Sequence, residues 1–322
     1  MSGTLVILGC GKRRSSQFNT RHPCNLGTAI LSGVLSSIQS NLKNGENKIT
    51  SIIACVRQHK SAERLKNLLD PSLIQYVEIR HGNNHHDAVA KGNFIILGCK
   101  PYVVHEILSA HEMKLALTGK VLISICAGVT VAQIYEHVDP SVCAVIRVMP
   151  NVASSIHQSM TVIESSQISE QESKLVTWIF SQIGTVIHLP NSQMDTATAL
   201  CGSGPAFFAV VLESAIDGAV TMGMPRDEAT RIAAQSMRGA AELILSGEHP
   251  ALLKDRVSSP GGCTTKGLLV LEEGAVRAHV ARAIREAATA ARSLGNPKSQ
   301  SKNNFGILFS LSTYLLYFSR GF

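Results

Sequence analysis

Short apolar stretches alternate with helix-like stretches over the first 190 residues, and this alternation constrains the fold more than any other feature of the chain. The apolar stretches are rich in β-branched residues and have the length of strands that are buried on both faces. They lie at residues 4–8, 49–56, 74–79, 93–98, 120–125, 142–148, 160–166 and 185–189. Alternating strands and helices predict an α/β fold with a parallel sheet and right-handed crossover connections.

The pattern changes after residue 193, because residues 194–294 contain helical patterns and no convincing strand. Residues 202–205 should interrupt a long apolar helix, and Pro225 fits the first position of the next helix. A helical segment of this size with small apolar faces is expected to pair with another copy of the chain. We therefore predict three parts: a nucleotide-binding domain at 1–190, a helical dimerisation and substrate domain at 191–295, and an atypical tail at 296–322.

The first strand leads into a glycine-rich turn of the kind that binds a dinucleotide. When residues 12–24 are set aside, the sequence reads TLVILGCGNLGTAILSGVL, which is a strand, a G-x-G-x-x-G pattern and a helix. That context is typical of a Rossmann-type domain. The pattern assigns cofactor binding to Gly9, Gly11, Asn25, Leu26 and Gly27.

Small or turn-forming residues also follow three other predicted strands. In an open parallel sheet, ligands bind beyond the carboxyl ends of the strands. We expect further cofactor contacts at Cys99, Lys100, Pro101, Cys126, Ala127, Gly128 and Asn151.

The end of the second strand bears on the choice of cofactor. A domain that binds NAD usually carries an acidic residue there for the ribose 2′-hydroxyl, whereas this chain has Arg57. A cation at this point suits a 2′-phosphate and favours NADPH, with NADH as the other possibility. The alternative is that Arg57 and the basic residues after it are solvated surface charges.

Residues 257–268, VSSPGGCTTKGL, form a second glycine-rich turn that precedes a helical pattern. The first N–H groups of a helix lack partners within the helix, and the helix dipole favours an anion there, such as a carboxylate or a phosphate. Thr264 and Thr265 fit the N-cap position. The alternative is an ordinary helix-capping turn without a ligand.

Several classes of protein are disfavoured by composition. The net charge of +7 is modest and scattered, so we expect an anionic small ligand and no nucleic acid. Eight cysteines without a C-x-x-C pair predict reduced thiols in a cytoplasmic protein. No apolar run reaches about 18 residues, which predicts no membrane span. The histidines of residues 81–87 are interpreted as a polar turn, so we predict no metal site.

Five motifs together give the chain a family resemblance. They are VSSPGGCTTKGLLV at 257–270, DTATALCGSGPAFF at 195–208, RVMPN at 147–151, CAGV at 126–129 and LGCKP at 97–101. With these motifs the chain resembles the pyrroline-5-carboxylate reductases, especially fungal members, from residue 4 to about residue 294. The resemblance implies a homodimer or larger homo-oligomer. It also implies hydride transfer from NAD(P)H to the C=N bond of 1-pyrroline-5-carboxylate, which gives L-proline.

The resemblance also implies the roles of individual residues. Ser259 and the backbone N–H groups of Gly262, Cys263 and Thr264 would hold the substrate carboxylate. The hydroxyl of Thr264 would contact the ring nitrogen, which makes Thr264 the expected catalytic residue. The substrate would lie between the cofactor and this turn, in a site completed by the partner subunit.

Three segments depart from the family pattern. Residues 12–24 interrupt the phosphate turn, the tail at 296–322 follows the usual family end, and Thr265-Lys266 replaces an apolar and a small or variable residue. The insertion begins Gly-Lys, which codons of the form GGTAAG would encode, so we interpret it as an unspliced intron or a faulty gene model. The alternative is a true surface loop.

Two other functions stay open at this point. If residues 12–24 block the cofactor, the chain is a dimeric homologue without catalytic activity. A related reductase of another imine or of a 2-keto acid usually brings a Lys or His acid from the helical domain, and no obvious candidate stands in residues 195–247.

Overall fold

Eight strands lie side by side in one sheet, in the order β3-β2-β1-β4-β5-β6-β7-β8. The computed structural model of the chain describes residues 3–10, 26–41, 49–165 and 168–294, with the backbone only at 39–41. The strands are Gly3–Leu8 (β1), Ile49–Val56 (β2), Val77–His81 (β3), Phe94–Leu97 (β4), Lys120–Ser124 (β5), Cys143–Met149 (β6), Ser159–Glu164 (β7) and Gly184–Leu189 (β8). All neighbouring pairs are parallel except β6 and β7. The predicted α/β class with a Rossmann-type sheet is confirmed.

Both faces of the central strands are buried, which explains why the sequences of β1, β2 and β4 to β6 are mostly apolar. Along β1, Leu5 and Ile7 belong to one core cluster and Val6 and Leu8 to the other, because successive side chains point to opposite faces. Helices α1, α2 and α7 contribute to the first cluster, and α3 to α6 to the second. These helices are Leu26–Asn41 (α1), His59–Leu68 (α2), His86–Lys91 (α3), Val104–Leu108 (α4), His111–Ala116 (α5), Val131–Tyr135 (α6) and Glu170–Ser181 (α7).

Two elements differ from their sequence prediction. The predicted strand at 74–79 begins later because Pro71–Tyr76 forms a 3₁₀ helix, which Asp70 caps by accepting from the Ser72 N–H at 2.9 Å. The sequence at 103–117 has one continuous helical pattern, which predicts a single helix, whereas the structure divides it into α4 and α5 because Ala110 adopts an extended backbone between them.

The chain contains two compact units. Of the residues that the structure describes, the first comprises those within 1–202 and 288–294, and the second comprises Ser203–Ala287. The remaining helices are Met194–Ala197 (α8), Gly204–Thr221 (α9), Arg226–Leu245 (α10), Pro250–Arg256 (α11), Cys263–Glu273 (α12) and Val276–Ser293 (α13). The predicted domain limits of 1–190, 191–295 and 296–322 stay a prediction. Met194, Ala197 and Cys201 pack with Met149 and Val162 of the sheet.

Glycine and proline residues mark the starts of the first helices in the C-terminal part of the chain. Thr198–Ser203 forms a π-helical turn directly before α9, where the sequence predicted an interruption. Pro225 is the N-cap of α10 rather than its first residue, so the prediction was wrong by one position. Its extended backbone leaves Asp227 and Glu228 in the first turn, where their charges complement the helix dipole.

The second unit exposes most of its apolar side chains. Within residues 203–287, Ile216 and Ala229 are the buried hydrophobic residues that the structure describes, whereas Phe208, Val210 and others on the same helices are exposed. Among the described residues, Asn191–Thr221 is the one stretch long and apolar enough to cross a membrane. Length and composition do not distinguish such a span from a helix that packs against protein.

Gly11, Asn25, the insertion at 12–24 and the tail at 296–322 lie outside the described residues.

Candidate active site

The ends of β1 and β4 approach each other so closely that side chains are excluded. Gly9 has φ +118°, and a Cβ on it would lie 2.4 Å from the carbonyl oxygen of Gly98. The Gly98 N–H in turn donates to the Leu8 carbonyl at 2.8 Å. A bare backbone at a strand end, next to the first turn of a helix, matches the cradle that a dinucleotide pyrophosphate needs.

The start of α1 supplies the other side of this cradle. Leu26 and Gly27 are its first two residues, and the hydroxyl of Thr28 donates to the Cys10 carbonyl at 3.1 Å. Thr28 is buried, so this hydrogen bond fixes the helix start against the end of β1. The role of Thr28 was not predicted from the sequence, because residues 12–24 separate it from the glycine turn that follows β1.

Cys99 and Cys126 occupy equivalent positions beyond β4 and β5. Their sulfur atoms lie 3.8 Å apart, and Cys126 Sγ also donates to the carbonyl oxygens of Leu97 at 3.4 Å and Cys99 at 3.3 Å. Cys126 is buried and Cys99 is half-buried. The hydrogen bond from the Cys99 thiol lowers the pKa of Cys126, and the same contact, together with burial, raises the pKa of Cys99.

The predicted residues next to this pair have defined local roles. Lys100 lies 5.4 Å from the ring centre of Tyr102, and Pro101 begins a 3₁₀ helix. Ala127 packs against the cluster formed by Met149 and its neighbours, and Gly128 has φ +73° in the turn before α6. A residue other than glycine would be strained at that backbone conformation.

Arg57 and Asn151 complete the predicted cofactor set. Arg57 directly follows β2 and is exposed. Asn151 follows β6, accepts from the Ala153 N–H at 3.0 Å through Oδ1, and donates its own backbone N–H to Ser159 Oγ at 3.0 Å. Because the strand order is β2-β1-β4-β5-β6, the structure brings the ends that carry Arg57, Gly9, Cys99, Cys126 and Asn151 to one edge of the sheet. We call this the crevice edge.

The second unit contains the other glycine-rich turn, between α11 and α12. Gly261 has φ +68°, and Gly262 is the N-cap of α12 with an extended backbone. The prediction that Thr264 or Thr265 is the N-cap is wrong, because both lie inside the helix. A Cβ on Gly262 would lie 2.4 Å from Ser259 Oγ and 3.1 Å from the Ser259 carbonyl oxygen, so a larger residue at this N-cap would have to displace the Ser259 side chain.

The hydrogen bonds that the structure describes in this turn leave N–H groups at the start of α12 without a partner. The Gly262 N–H and the Thr265 hydroxyl both donate to the Ser259 carbonyl, each at 3.0 Å. The N–H groups of Cys263 and Thr264 have no hydrogen-bond partner among the described residues. Of the three predicted N–H donors, these two are therefore available to an anion, and the half-buried Thr264 side chain belongs to the same helix turn.

A charge cluster around the buried Arg147 was not predicted from the sequence. Arg147 on β6 pairs with Asp195 in the first turn of α8 at 2.9 Å, and Arg292 contacts the same carboxylate at 3.6 Å. Glu164, on β7, is almost fully buried beside Arg147. Burial raises the pKa of Glu164, and the charge and backbone N–H of Arg147 offset part of that effect.

Two family profiles match the chain. Residues 25–128 match the profile described as NADP oxidoreductase coenzyme F420-dependent, and residues 191–294 match pyrroline-5-carboxylate reductase dimerisation. A pyrroline-5-carboxylate reductase of Lophium arboricola is 50% identical over 313 residues, which cover 91% of this chain and 93% of the relative. The chain belongs to the pyrroline-5-carboxylate reductase family.

Other relatives agree with this assignment. The pyrroline-5-carboxylate reductase of Neurospora crassa is 44% identical, over 93% of this chain and 95% of that protein. A crystal structure of the Plasmodium falciparum pyrroline carboxylate reductase, with NADP bound, matches with a TM-score of 0.72 and 23% identity. It covers 91% of this chain and 98% of that one, and at this identity it supports the fold.

Pyrroline-5-carboxylate reductases are NAD(P)-dependent oxidoreductases that act on CH–NH groups, so the predicted enzyme class is confirmed. The dimerisation profile supports the predicted homo-oligomer and small-molecule substrate. The two alternatives, a homologue without activity and a reductase of another imine or a 2-keto acid, are not favoured by the relatives. The individual site residues stay predictions.

Proposed function

We propose that this chain reduces 1-pyrroline-5-carboxylate to L-proline with NADPH and that the turn before α12 holds the substrate. The observation that carries the proposal is the pair of unpartnered N–H groups of Cys263 and Thr264 at the start of an 11-residue helix. Two N–H donors and the helix dipole suit a carboxylate, which this substrate has.

The chain's own residues need only bind and orient the substrate. The N–H groups of Cys263 and Thr264 bind the carboxylate, and the Thr264 hydroxyl hydrogen-bonds to the ring nitrogen. A protonated C=N bond is already electrophilic, so orientation and exclusion of water account for catalysis without a strong general acid. When bound at the crevice edge, NADPH would supply the hydride for the C=N carbon.

Residues at the crevice edge would hold the cofactor. Gly9 and the first turn of α1 suit the pyrophosphate, because no side chain intrudes there. Arg57 suits the 2′-phosphate, which supports NADPH over NADH. A preference of the purified chain for NADH that Arg57→Ala leaves unchanged would contradict this part.

The second unit supports a homodimer as the working form. Its helices expose apolar side chains on several faces, and a second copy would bury them. Val210→Asp is expected to reduce the molecular mass measured by light scattering to that of one chain. The matched control is Leu115→Asp, which alters an equally exposed apolar residue of the first unit and should keep the oligomer. An unchanged mass for Val210→Asp, or dissociation of the Leu115→Asp control, would contradict this assignment.

The activity is tested with the purified chain, NADPH and 1-pyrroline-5-carboxylate. We expect NADPH consumption with a matching yield of L-proline. The control substrate, 1-pyrroline, has no carboxylate and should react with a kcat/KM lower by about tenfold to a hundredfold. Absence of L-proline, or faster reduction of a 2-keto acid, would contradict the proposal. A cytoplasmic location stays a prediction from the cysteine pattern.

A further inference from the structure

The two thiols at the crevice edge are in register with one another. Leu97 at the end of β4 pairs with Ser124 at the end of β5, and the ladder continues because the Ile125 N–H donates to the Leu97 carbonyl at 3.1 Å. Two residues further along each strand, Cys99 therefore lies opposite Cys126. Parallel neighbours are about 4.8 Å apart, a spacing within the Cα range of disulfides.

The side chains of this pair already contact each other. The sulfur atoms lie 3.8 Å apart, so a bond of about 2.05 Å requires side-chain rotation and only a small movement of the two loops. Cys99 is half-buried, which gives a small oxidant access to the pair, whereas Cys10, Cys55 and Cys143 are buried and lie outside it.

We propose that Cys99 and Cys126 are an oxidation site: hydrogen peroxide converts them to a disulfide, and this modification weakens NADPH binding at the crevice edge. The site regulates the cofactor cleft, so its effect on binding rests on the proposed function. The modification itself depends only on the two thiols.

The chemistry uses one peroxide molecule and two thiols. One sulfur loses its proton and attacks peroxide, the O–O bond breaks, and a sulfenic acid and one water form. The other sulfur then attacks the sulfenic sulfur, so that the S–O bond breaks, the S–S bond forms and a second water leaves. Two electrons pass from the thiol pair to the peroxide, and a dithiol such as dithiothreitol reverses the change.

The consequence for binding follows from where the pair lies. Cys99 precedes Lys100 and Pro101, and Cys126 precedes Ala127 and Gly128, all of which are proposed cofactor contacts. Drawing the two sulfurs together moves both loop starts, and displacements of about 1 Å in a binding site cost up to a hundredfold in activity. We expect the dissociation constant for NADPH to rise about tenfold on oxidation.

The test oxidises the intact, purified chain with one equivalent of hydrogen peroxide. Free thiols are counted after unfolding, the disulfide is located by peptide mass mapping, and NADPH affinity is measured by fluorescence before and after dithiothreitol. We expect the count to fall by two from the eight cysteines of the chain, one disulfide between Cys99 and Cys126, and recovery of affinity on reduction.

Matched variants separate this site from general oxidation. Cys99→Ser and Cys126→Ser should each abolish the mapped disulfide, whereas Cys143→Ser, which removes a buried thiol elsewhere, should leave it unchanged. Absence of the Cys99–Cys126 disulfide, or a disulfide without any change in NADPH affinity, would overturn the proposal. Failure to make L-proline would instead contradict the proposed reaction, because thiol mapping and NADPH affinity are read without substrate.

Discussion

Arg147 Nη2 lies 2.9 Å from Asp195 Oδ1, although the two residues are 48 positions apart in the chain. The Arg147 side chain is 2% exposed and the Asp195 side chain 23%. This ion pair connects the end region of β6 to α8, at the point where the chain leaves the sheet. A guanidinium in this environment depends on its carboxylate partner, because an unpaired buried charge is costly.

Replacing Asp195 by alanine should therefore destabilise the protein strongly. Removing one partner of a buried pair typically costs about 3–5 kcal/mol. The matched control is Asp217→Ala, which breaks an exposed pair with Arg226 and should cost about 1 kcal/mol or less. Denaturant unfolding measures both, and equal losses would show that Arg147 does not depend on Asp195.

Glu164→Gln should change how stability depends on pH. The pKa of Glu164 is raised in the folded chain, so its contribution is full below the unfolded pKa of about 4.3 and is lost as pH rises through the folded value. Glutamine does not titrate. The unfolding free energy of the variant minus that of the wild type should therefore increase as the pH rises above the unfolded pKa of glutamate, about 4.3.

Asp139 provides a control of opposite sign for that experiment. Hydrogen bonds from the hydroxyl and backbone N–H of Ser141 lower the pKa of Asp139, so its contribution is present above the unfolded pKa and is lost as pH falls. The difference for Asp139→Asn should accordingly decrease as pH rises. Slopes of the same sign for the two variants would contradict the assigned environments.

Gly9→Ala should abolish NADPH binding and lower stability. The Cβ of the alanine would lie 2.4 Å from the Gly98 carbonyl oxygen. Relieving this clash requires a shift of the backbone, which costs more free energy than rotating a side chain. Gly82→Ala is the matched control, since Gly82 also has positive φ, at +127°, but nothing lies within 4 Å of its Cβ. The control should cost about 1–2 kcal/mol from backbone strain alone. Fluorescence titration measures NADPH binding and denaturant unfolding measures stability for both variants. Similar losses of binding and stability in the two would contradict the view that the approach of Gly98 to Gly9 matters.

Thr264→Ala should lower kcat about tenfold, because its hydroxyl orients the ring nitrogen rather than holding the turn. Thr264→Ser keeps a hydroxyl and should retain most of the activity. Thr265→Ala removes the hydrogen bond to the Ser259 carbonyl, so it should raise KM more than it lowers kcat. Steady-state kinetics with L-proline detection separates these effects. An unchanged kcat for Thr264→Ala would exclude the proposed role.

The sequence predicted those features of the fold that neighbouring residues along the chain determine. Continuous apolar runs identified the strands, and glycines at strand ends identified the crevice edge, because period and turn chemistry are readable along the chain. The Arg147–Asp195 pair and the Cys99–Cys126 contact were not predicted, since both depend on which strand ends become neighbours. The N-cap of α12 was predicted at Thr264 or Thr265 because hydroxyls are good caps, whereas the helix begins earlier, with the extended backbone of Gly262 as its N-cap.

The near absence of buried apolar residues within residues 203–287 links folding to the amount of protein present. If a second copy completes this unit, mass action applies, and the unfolding temperature should rise with protein concentration. A cell that makes little of this chain would then hold a smaller folded fraction than one that makes much of it. The level of gene expression would thus set stability as well as enzyme quantity.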